Sequence, residues 1–365
     1  MSKAAELANL IGNINAGGGG VGRNLIINGN MVCSQRGTSF SNVTSSRFCL
    51  DRFSVDVGGG GAFNVTQDSS APEGFDKSLK LEVNTADSSI ATSDAYRVTQ
   101  AVEGQNTAQI ELGTSTAKAM ALSFYVKSSV TGTYGVGLAN NAETENFVAE
   151  YTISSANTWE KKTINIPVRT SGTWLTDNTV GIAVRWDLGS GTNYNGTAGQ
   201  WQTTSSKVYR TSSCVNLIAT GSATWFITGV QLEVGQNPTS FEHEPFERTL
   251  RKCQRYFARI SGYDDTSRVI GYGHCRTSSI FRVYCDVPVM MRASGSLKEN
   301  DTSQTYRANH NNGNENNDNS TPTFDNGGHP KMSLSVGGFS GLDSSDNGVI
   351  KIEGSGNWLA LEAEI

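Results

Sequence analysis

The stretch Met120-Ala-Leu-Ser-Phe-Tyr-Val126 sets an apolar side chain at every second residue: Met120, Leu122, Phe124 and Val126. A period of two turns one face of an extended segment into a core and the other toward solvent, the pattern of a half-buried β-strand. Outward from it the alternation recurs at Leu79, Leu81 and Val83, at Ile164, Ile166 and Val168, at Ile182, Val184 and Trp186, and at Val230, Leu232 and Val234. Clusters of Gly, Asn, Asp and Ser separate these runs, and no helix of three turns fits among them. Short alternating runs broken by turn residues predict an antiparallel sandwich.

A length of 365 residues exceeds what one sandwich needs, so two folded units plus an arm are expected. Hydrophobic residues make up 36% and glycines number 40, which suits short strands and turns better than long packed helices. Charged residues are only 17%, leaving Ser, Thr, Asn and Gly to form a neutral, hydrogen-bonding surface. A net charge of -5 argues against a nucleic-acid role, because phosphate binding needs clustered cations. The one basic cluster, Arg248, Arg251, Lys252, Arg255 and Arg259, reads as a solvated helix face in preference to a DNA or membrane contact. The start Met1-Ser-Lys-Ala-Ala-Glu6 carries no signal-peptide pattern, and no apolar run approaches a membrane span. Cys33, Cys49, Cys214, Cys253, Cys275 and Cys285 are widely spaced, without a Cys-x-x-Cys pair. A chain made in a reducing cytoplasm keeps them as buried thiols; a Cys33 to Cys49 or Cys275 to Cys285 bridge formed after cell lysis is the alternative.

Two segments bracket the strand-rich region, Asn24-Leu-Ile-Ile-Asn-Gly-Asn-Met31 and Ile227-Thr-Gly-Val-Gln-Leu-Glu-Val-Gly235. Gln35-Arg36-Gly37-Thr38 and Leu50-Asp51-Arg52-Phe53 lie inside, and Ser240-Phe-Glu-His-Glu-Pro-Phe246 and Cys253-Gln-Arg-Tyr-Phe257 follow. From Arg23 to Ile260 this order resembles bacteriophage fibre and spike proteins. The resemblance implies a jelly-roll sandwich similar to carbohydrate-binding modules, opened by the first bracket and closed by the second. It also implies a short connector leading into a variable C-terminal region.

The expected fold is therefore all-β: an antiparallel jelly-roll β-sandwich over residues 24–244 and a second, smaller β-domain over 261–365. A short N-terminal helix and a connector helix complete it. Ala4, Leu7, Ile11 and Ile14 fall at spacings of three, four and three, a seam of two heptads that Gly17 to Gly20 then break. Two heptads are too short to be stable alone. This arm, residues 1–23, must dock on another protein or pair with copies of itself, and isoleucine at both seam positions favours three strands. Pro245 followed by Phe246, Leu250, Cys253, Phe257 and Ile260 predicts a connector helix over 245–260 whose seam faces the sandwich or neighbouring subunits. Alternation resumes at Phe281, Val283, Cys285, Val287 and Val289, at Met332, Leu334 and Val336, and at Leu359, Leu361, Ala363 and Ile365. Between Ser294 and Pro330 it gives way to an asparagine-rich stretch that reads as a long loop, functional or disordered.

No enzyme signature emerges. Gly17 to Gly22 lacks a Gly-Lys-Ser/Thr ending, and there is no Gly-x-Ser-x-Gly elbow. His243, His274, His310 and His329 have no metal-ligand spacing. In Glu242-His243-Glu244 the two acids face one side of an extended segment and the histidine the other, which suits a structural junction. Cleavage of a glycosidic bond needs two carboxylates across it, and the sequence does not place such a pair. No catalysis and no cofactor are expected. A structural calcium has only Asp51, Asp56 and Asp187 as candidate ligands.

Binding chemistry is better represented. Trp174, Tyr194 and Trp201 stand among neutral polar residues, and a sugar stacks on an aromatic ring while amides bond its hydroxyls. Against that, tryptophans in sandwiches are commonly core, and Trp186 shares parity with Ile182 and Val184. Asn311, Asn314, Asn316 and Asn317 are further candidates for receptor contact. The expectation is a homotrimeric fibre or spike subunit of the virion, made in the host cytoplasm, with its arm on another virion protein. It would bind a host glycan or protein, with no nucleic-acid partner and no membrane insertion. A capsid-decorating head fibre or cement protein, and a surface-polysaccharide depolymerase, are the alternatives.

Overall fold

The computed structural model describes residues 2–8, 22–261, 269–300, 304–311, 315–318, 322–327, 331–354 and 356–365. The chain divides into two units, Met1–Thr249 with Ile365, and Leu250–Glu364. In the first, a six-stranded sheet runs β1 (Ser39–Val43), β4 (Ala62–Asp68), β5 (Ser78–Thr85), β13 (Thr224–Val234), β7 (Met120–Ser128), β10 (Glu160–Ile166). A seven-stranded sheet runs β12 (Trp201–Thr203), β9 (Glu145–Ile153), β8 (Gly132–Ala139), β11 (Val180–Asp187), β6 (Tyr96–Glu103), β3 (Ser54–Val57), β2 (Arg47–Phe48). The strand pairings are antiparallel, and the two sheets form the jelly-roll sandwich.

The core lies between them. Leu81, Phe124 and Leu232 from one sheet and Val98, Leu138 and Trp186 from the other are fully buried, each contributing about 1.5–3 kcal/mol through the area it removes from water. Phe124 meets Trp186 edge to face across the layers, centroids 5.9 Å apart, a geometry the ring quadrupoles favour. Val168 breaks the expected alternation and is exposed, because Pro167 has no N–H with which to continue β10.

The two brackets are one piece of structure. β5 pairs with β13 only as far as Ile227, and β13 bulges between Thr228 and Gln231. Beyond that point the first bracket takes the place of β5: Leu25 N donates to Leu232 O (2.8 Å) and Val230 N to Gly29 O (2.9 Å). A Cβ on Gly29 would lie 2.1 Å from Val230 O, so only glycine allows this approach. Asn24 ties the junction with three bonds, from Nδ2 to Val230 O and to Oδ1 from Ile26 N and Leu232 N. Glu242 accepts from Gly22 N (2.5 Å) and Asn24 N (2.9 Å), while Phe241 and His243 pack on Phe75. The acid and the histidine of this motif thus serve opposite sides, as the alternation of an extended segment requires.

Among its described residues the second unit holds ten strands: β14 (Phe257–Arg259), β15 (Val269–Thr277), β16 (Ile280–Asp286), β17 (Ser296–Glu299), β18 (Tyr306–His310), β19 (Glu315–Asp318), β20 (Thr323–Gly327), β21 (Lys331–Val336), β22 (Asn347–Ile352) and β23 (Leu359–Glu362). A three-stranded sheet, β14-β23-β17, and a seven-stranded sheet, β19-β18-β22-β15-β16-β21-β20, share a core that includes Phe281, Leu334, Ile350 and Leu361.

Three expectations are corrected. The connector helix is shorter than 245–260: it covers Phe246–Gln254, with Pro245 O accepting from Arg248 N and Thr249 N, and the chain then becomes β14. Phe257 is drawn from the helical seam because it pairs opposite Glu362 and packs edge to face on Trp358 at 5.3 Å. Tertiary pairing here outweighs helical periodicity. Of the seam, Phe246 is 56% exposed, Leu250 half-buried, and Cys253 and Phe257 are buried by the chain's own residues. The stretch from Ser294 to Pro330 is no single long loop: β17, β18, β19 and β20 fall within it. Its ladders are backbone bonds, which asparagines make as well as apolar residues do.

Residues 3–8 are helical, with Ala4 and Leu7 exposed; Ile11 and Ile14 lie outside the described residues. All six cysteines are free and buried. Burial pushes the thiols of Cys49 and Cys285 up to about 12 and that of Cys275 to about 11.

Candidate functional site

The sequence-predicted residues separate into three places. Trp174 and Trp201 meet edge to face, centroids 5.5 Å apart, and Trp201 lies 5.5 Å from the core ring Phe147. Trp201 pairs opposite Phe147 on β9, so it points to the core side of the sheet and closes the open edge of the sandwich. Both indole N–H groups bond internally, to Pro167 O (2.7 Å) and Ser171 O (3.1 Å). Beside them Arg169 Nε donates to Glu145 Oε2 at 2.7 Å. Tyr194 lies elsewhere, stacked on Tyr209 at 4.9 Å with its hydroxyl on Ser93 O. The asparagines belong to the second unit. Asn311 is exposed and accepts from Asn347 N, Asn316 and Asn317 stand opposite Ala308 and Arg307 in the β18–β19 ladder, and Asn314 lies outside the described residues.

A polar trough lies on the outer face of the seven-stranded sheet. Strand parity creates it: Tyr96, Val98, Val184 and Trp186 point into the core, so Arg97, Thr99 and Arg185 point out. Ala101 and Ala183 keep its floor low, Arg47 and Phe48 stand on one side, and Asn141 and Glu143 stand on the other. Within it Arg97 Nε donates to Asp56 Oδ2 (2.8 Å), which also accepts from Thr99 Oγ1 (2.9 Å). Arg185 Nη2 and Lys207 Nζ both reach Glu143 Oε1, at 2.6 and 3.0 Å.

Two loops position these charges. The turn after β8 is held by Asn140, whose Oδ1 accepts from Thr144 N and Glu145 N and whose Nδ2 donates to Thr173 O. It presents Glu143 in the left-handed region, at φ 59°, a conformation costing a non-glycine residue roughly 1–2 kcal/mol. The segment carrying Tyr209 crosses β8 at Gly137, where a Cβ would lie 2.5 Å from Tyr209 Cβ. That close crossing seats the Tyr209 ring 5.0 Å from the Arg97 guanidinium.

The electrostatics are unbalanced. Burial opposes the charge on Arg97, but Tyr209 and Asp56 outweigh it and hold its pKa above the ordinary value. Arg185 is 7% exposed, and its pKa is pushed down, first by burial and then by Arg97; Glu143 acts in the opposite sense. Arg97 Nη1 and Arg185 Nε are buried without a hydrogen-bond acceptor, and a buried unmet donor costs about 1–3 kcal/mol.

The three acids named for calcium are not gathered. Asp51 accepts from Gln35 and pairs with Arg36, Asp56 holds Arg97, and Asp187 accepts from Ser190 N and faces Arg210. Arg97, Arg185 and Glu143 were missed by sequence reasoning. For the arginines the signal was available, since each interrupts an apolar strand at the outward parity in a chain sparing of charge. Glu143 carried none, as it is one acid in a turn.

No protein-family model matches the sequence, and no curated protein matches it. Solved structures similar to the chain include the enzymatically active domain of tailspike protein 4 of bacteriophage CBA120, at 16% identity and TM-score 0.31, covering 58% of this chain and 21% of that one. The family 11 carbohydrate-binding module from Clostridium thermocellum, in complex with a mixed-linked tetrasaccharide, is 11% identical over 56% of this chain and 97% of its own, TM-score 0.28. TmCBM61, in complex with β-1,4-galactotriose, is 13% identical over 58% of this chain and 99% of its own, TM-score 0.27. This chain therefore spans about a fifth of the tailspike chain and nearly all of each module.

Proposed function

We propose that this chain is a bacteriophage fibre or spike subunit that binds a host-surface glycan without cleaving it. The observation that carries the binding reading is the trough, whose low floor is flanked by charged and amide groups of the kind that bond sugar hydroxyls. Bacteriophage fibre membership rests on the order of the bracket motifs. The reading of binding without cleavage is supported by the trough acids: Asp56 and Glu143 are each engaged by a guanidinium of the chain itself, which occupies the carboxylates that cleavage would need across a glycosidic bond. The arm, with Leu7, Ile11 and Ile14 as its seam, attaches the subunit to the particle and assembles it as a trimer.

Titration of the full chain with host envelope polysaccharides tests the binding. Thr99→Tyr, which fills the trough from an outward strand position, is expected to weaken affinity by about tenfold or more with an unchanged melting temperature. Equal affinity in the variant would remove the trough from the binding site. Release of oligosaccharides during long incubation would favour the depolymerase reading. Imaging of labelled virions separates the rival roles, because density on the shell would indicate decoration. Light scattering tests the trimer, and a monodisperse monomer at micromolar concentration would refute it.

A further inference from the structure

The chain carries a net charge of -5, and the trough is a local exception to it. Around it, Arg47, Arg97, Arg185 and the adjoining Lys207 face Asp56, Glu143 and the carboxylate of Ile365, four cations against three anions and an excess of one. Each of the two inner arginines commits one N–H to its acid and keeps another unmet: Arg97 Nη1 and Arg185 Nε have no acceptor. Arg185 is more than nine-tenths buried at the floor of an otherwise open depression. Two guanidiniums crowded together with donors unfilled form an arrangement that an entering anion completes. A neutral sugar supplies acceptors but leaves the charge excess in place.

We infer that the trough takes the carboxylate of an acidic sugar, a hexuronate, bound by Arg185 and Arg97. This rests on the glycan-binding reading and adds the class of sugar. A carboxylate is planar and carries two acceptors, which matches the fork of a guanidinium. A single negative charge also fits beside Asp56 and Glu143, where a doubly charged phosphate meets more repulsion. Because both unmet donors are enclosed in the free protein, seating the carboxylate turns the guanidiniums toward the trough. Thr99, Ser54 and Asn141 then stand along the same depression for the hydroxyls of the ring.

The test is calorimetric titration of the full chain with polymers of galacturonate, glucuronate and mannuronate, each beside its carboxyl-reduced form, with dextran sulfate as a control for charge alone. At least one uronate is expected to bind, and its reduced form about tenfold or more weakly. Arg185→Gln combined with Glu143→Gln removes cation and acid together; it is expected to bind the two forms alike. If that variant does not fold, Arg97→Lys keeps the charge, loses the fork, and is expected to weaken the same discrimination. A reduced polymer binding as tightly as its uronate overturns the acid-recognition proposal and leaves glycan binding standing. Dextran sulfate matching the uronate overturns it in favour of unspecific charge. If none of these polymers binds and neutral host polysaccharides do, the acid class is wrong; if nothing binds, the glycan reading falls with it.

Discussion

At the bracket junction, Glu233 and Glu242 take hydrogen bonds from their own chain: Glu233 from Thr239 N and Gln231 Nε2, Glu242 from Gly22 N and Asn24 N. In the trough, Asp56 and Glu143 each bond a guanidinium directly, at 2.8 and 2.6 Å, whereas Arg23 stands 3.8 Å from Glu233 at the junction. The first arrangement uses carboxylates to fix backbone. The second uses them to steady largely buried arginines at the floor of an open depression. The contrast teaches where charge serves the fold and where it shapes an open surface: a carboxylate bonded to backbone fixes a junction, while one bonded to a guanidinium beside a depression sets the charge that an entering ligand meets.

Breaking the junction should have the largest effect. Asn24→Ala strands Val230 O, Ile26 N and Leu232 N, and a loss of about 3 kcal/mol in unfolding free energy is expected. Chemical denaturation reads it, and a loss below about 1 kcal/mol would show that water replaces the side chain. The trough should tolerate more. Asp56→Ala takes the acceptor from Arg97 Nε and Thr99 Oγ1 at the edge of an open depression and is expected to cost about 2 kcal/mol, while altering glycan affinity. A greater stability loss than for Asn24→Ala would erase the distinction between the two regions.

Asp87 sharpens the comparison through pH. Its carboxylate accepts from Tyr96 Oη at 2.6 Å, and that bond, with those from Ser89 and Gly60, holds its pKa below the ordinary value against the effect of burial. A depressed folded pKa gives stability that is present above the unfolded value of about 3.9 and is lost as pH falls through the folded one. The stability gap between the native chain and Tyr96→Phe should therefore narrow in acid, down to the pH-independent part owed to the Gly61 N bond on the same hydroxyl. A gap constant from pH 7 to pH 2 would show that the bond does not favour the charged acid. The smallest effect concerns the thiols. With Cys49, Cys275 and Cys285 buried and raised to about 12, 11 and 12, a thiol reagent at pH 8 should label them only after unfolding; rapid labelling of the native chain would contradict their burial.

Much of the sandwich was legible because period-two alternation is a local signal. Met120, Leu122, Phe124 and Val126 are fully buried as their spacing requires. The connector helix was misjudged at its end because Phe257 satisfies a helical spacing and a strand pairing equally well, and only Leu359–Glu362, a hundred residues away, decides between them. The asparagine-rich stretch hid strands because backbone ladders need no apolar side chain. Trp174, Tyr194 and Trp201 were grouped on residue type alone; folding sets Trp174 on Trp201 and Tyr194 elsewhere, and nothing local told that Trp201 faces Phe147.

By itself, the sequence determined that this is an all-β chain in two parts, since alternation, glycine and turn residues act over a few positions at a time. It also marked the two brackets. Only the tertiary structure decided that these brackets close on one another through Asn24 and Gly29. Only the tertiary structure, too, set Arg97, Arg185 and Glu143 together on one face. Those groups come from two strands and a turn far apart in the chain, and a charge becomes a site only when folding removes its water and chooses its neighbours.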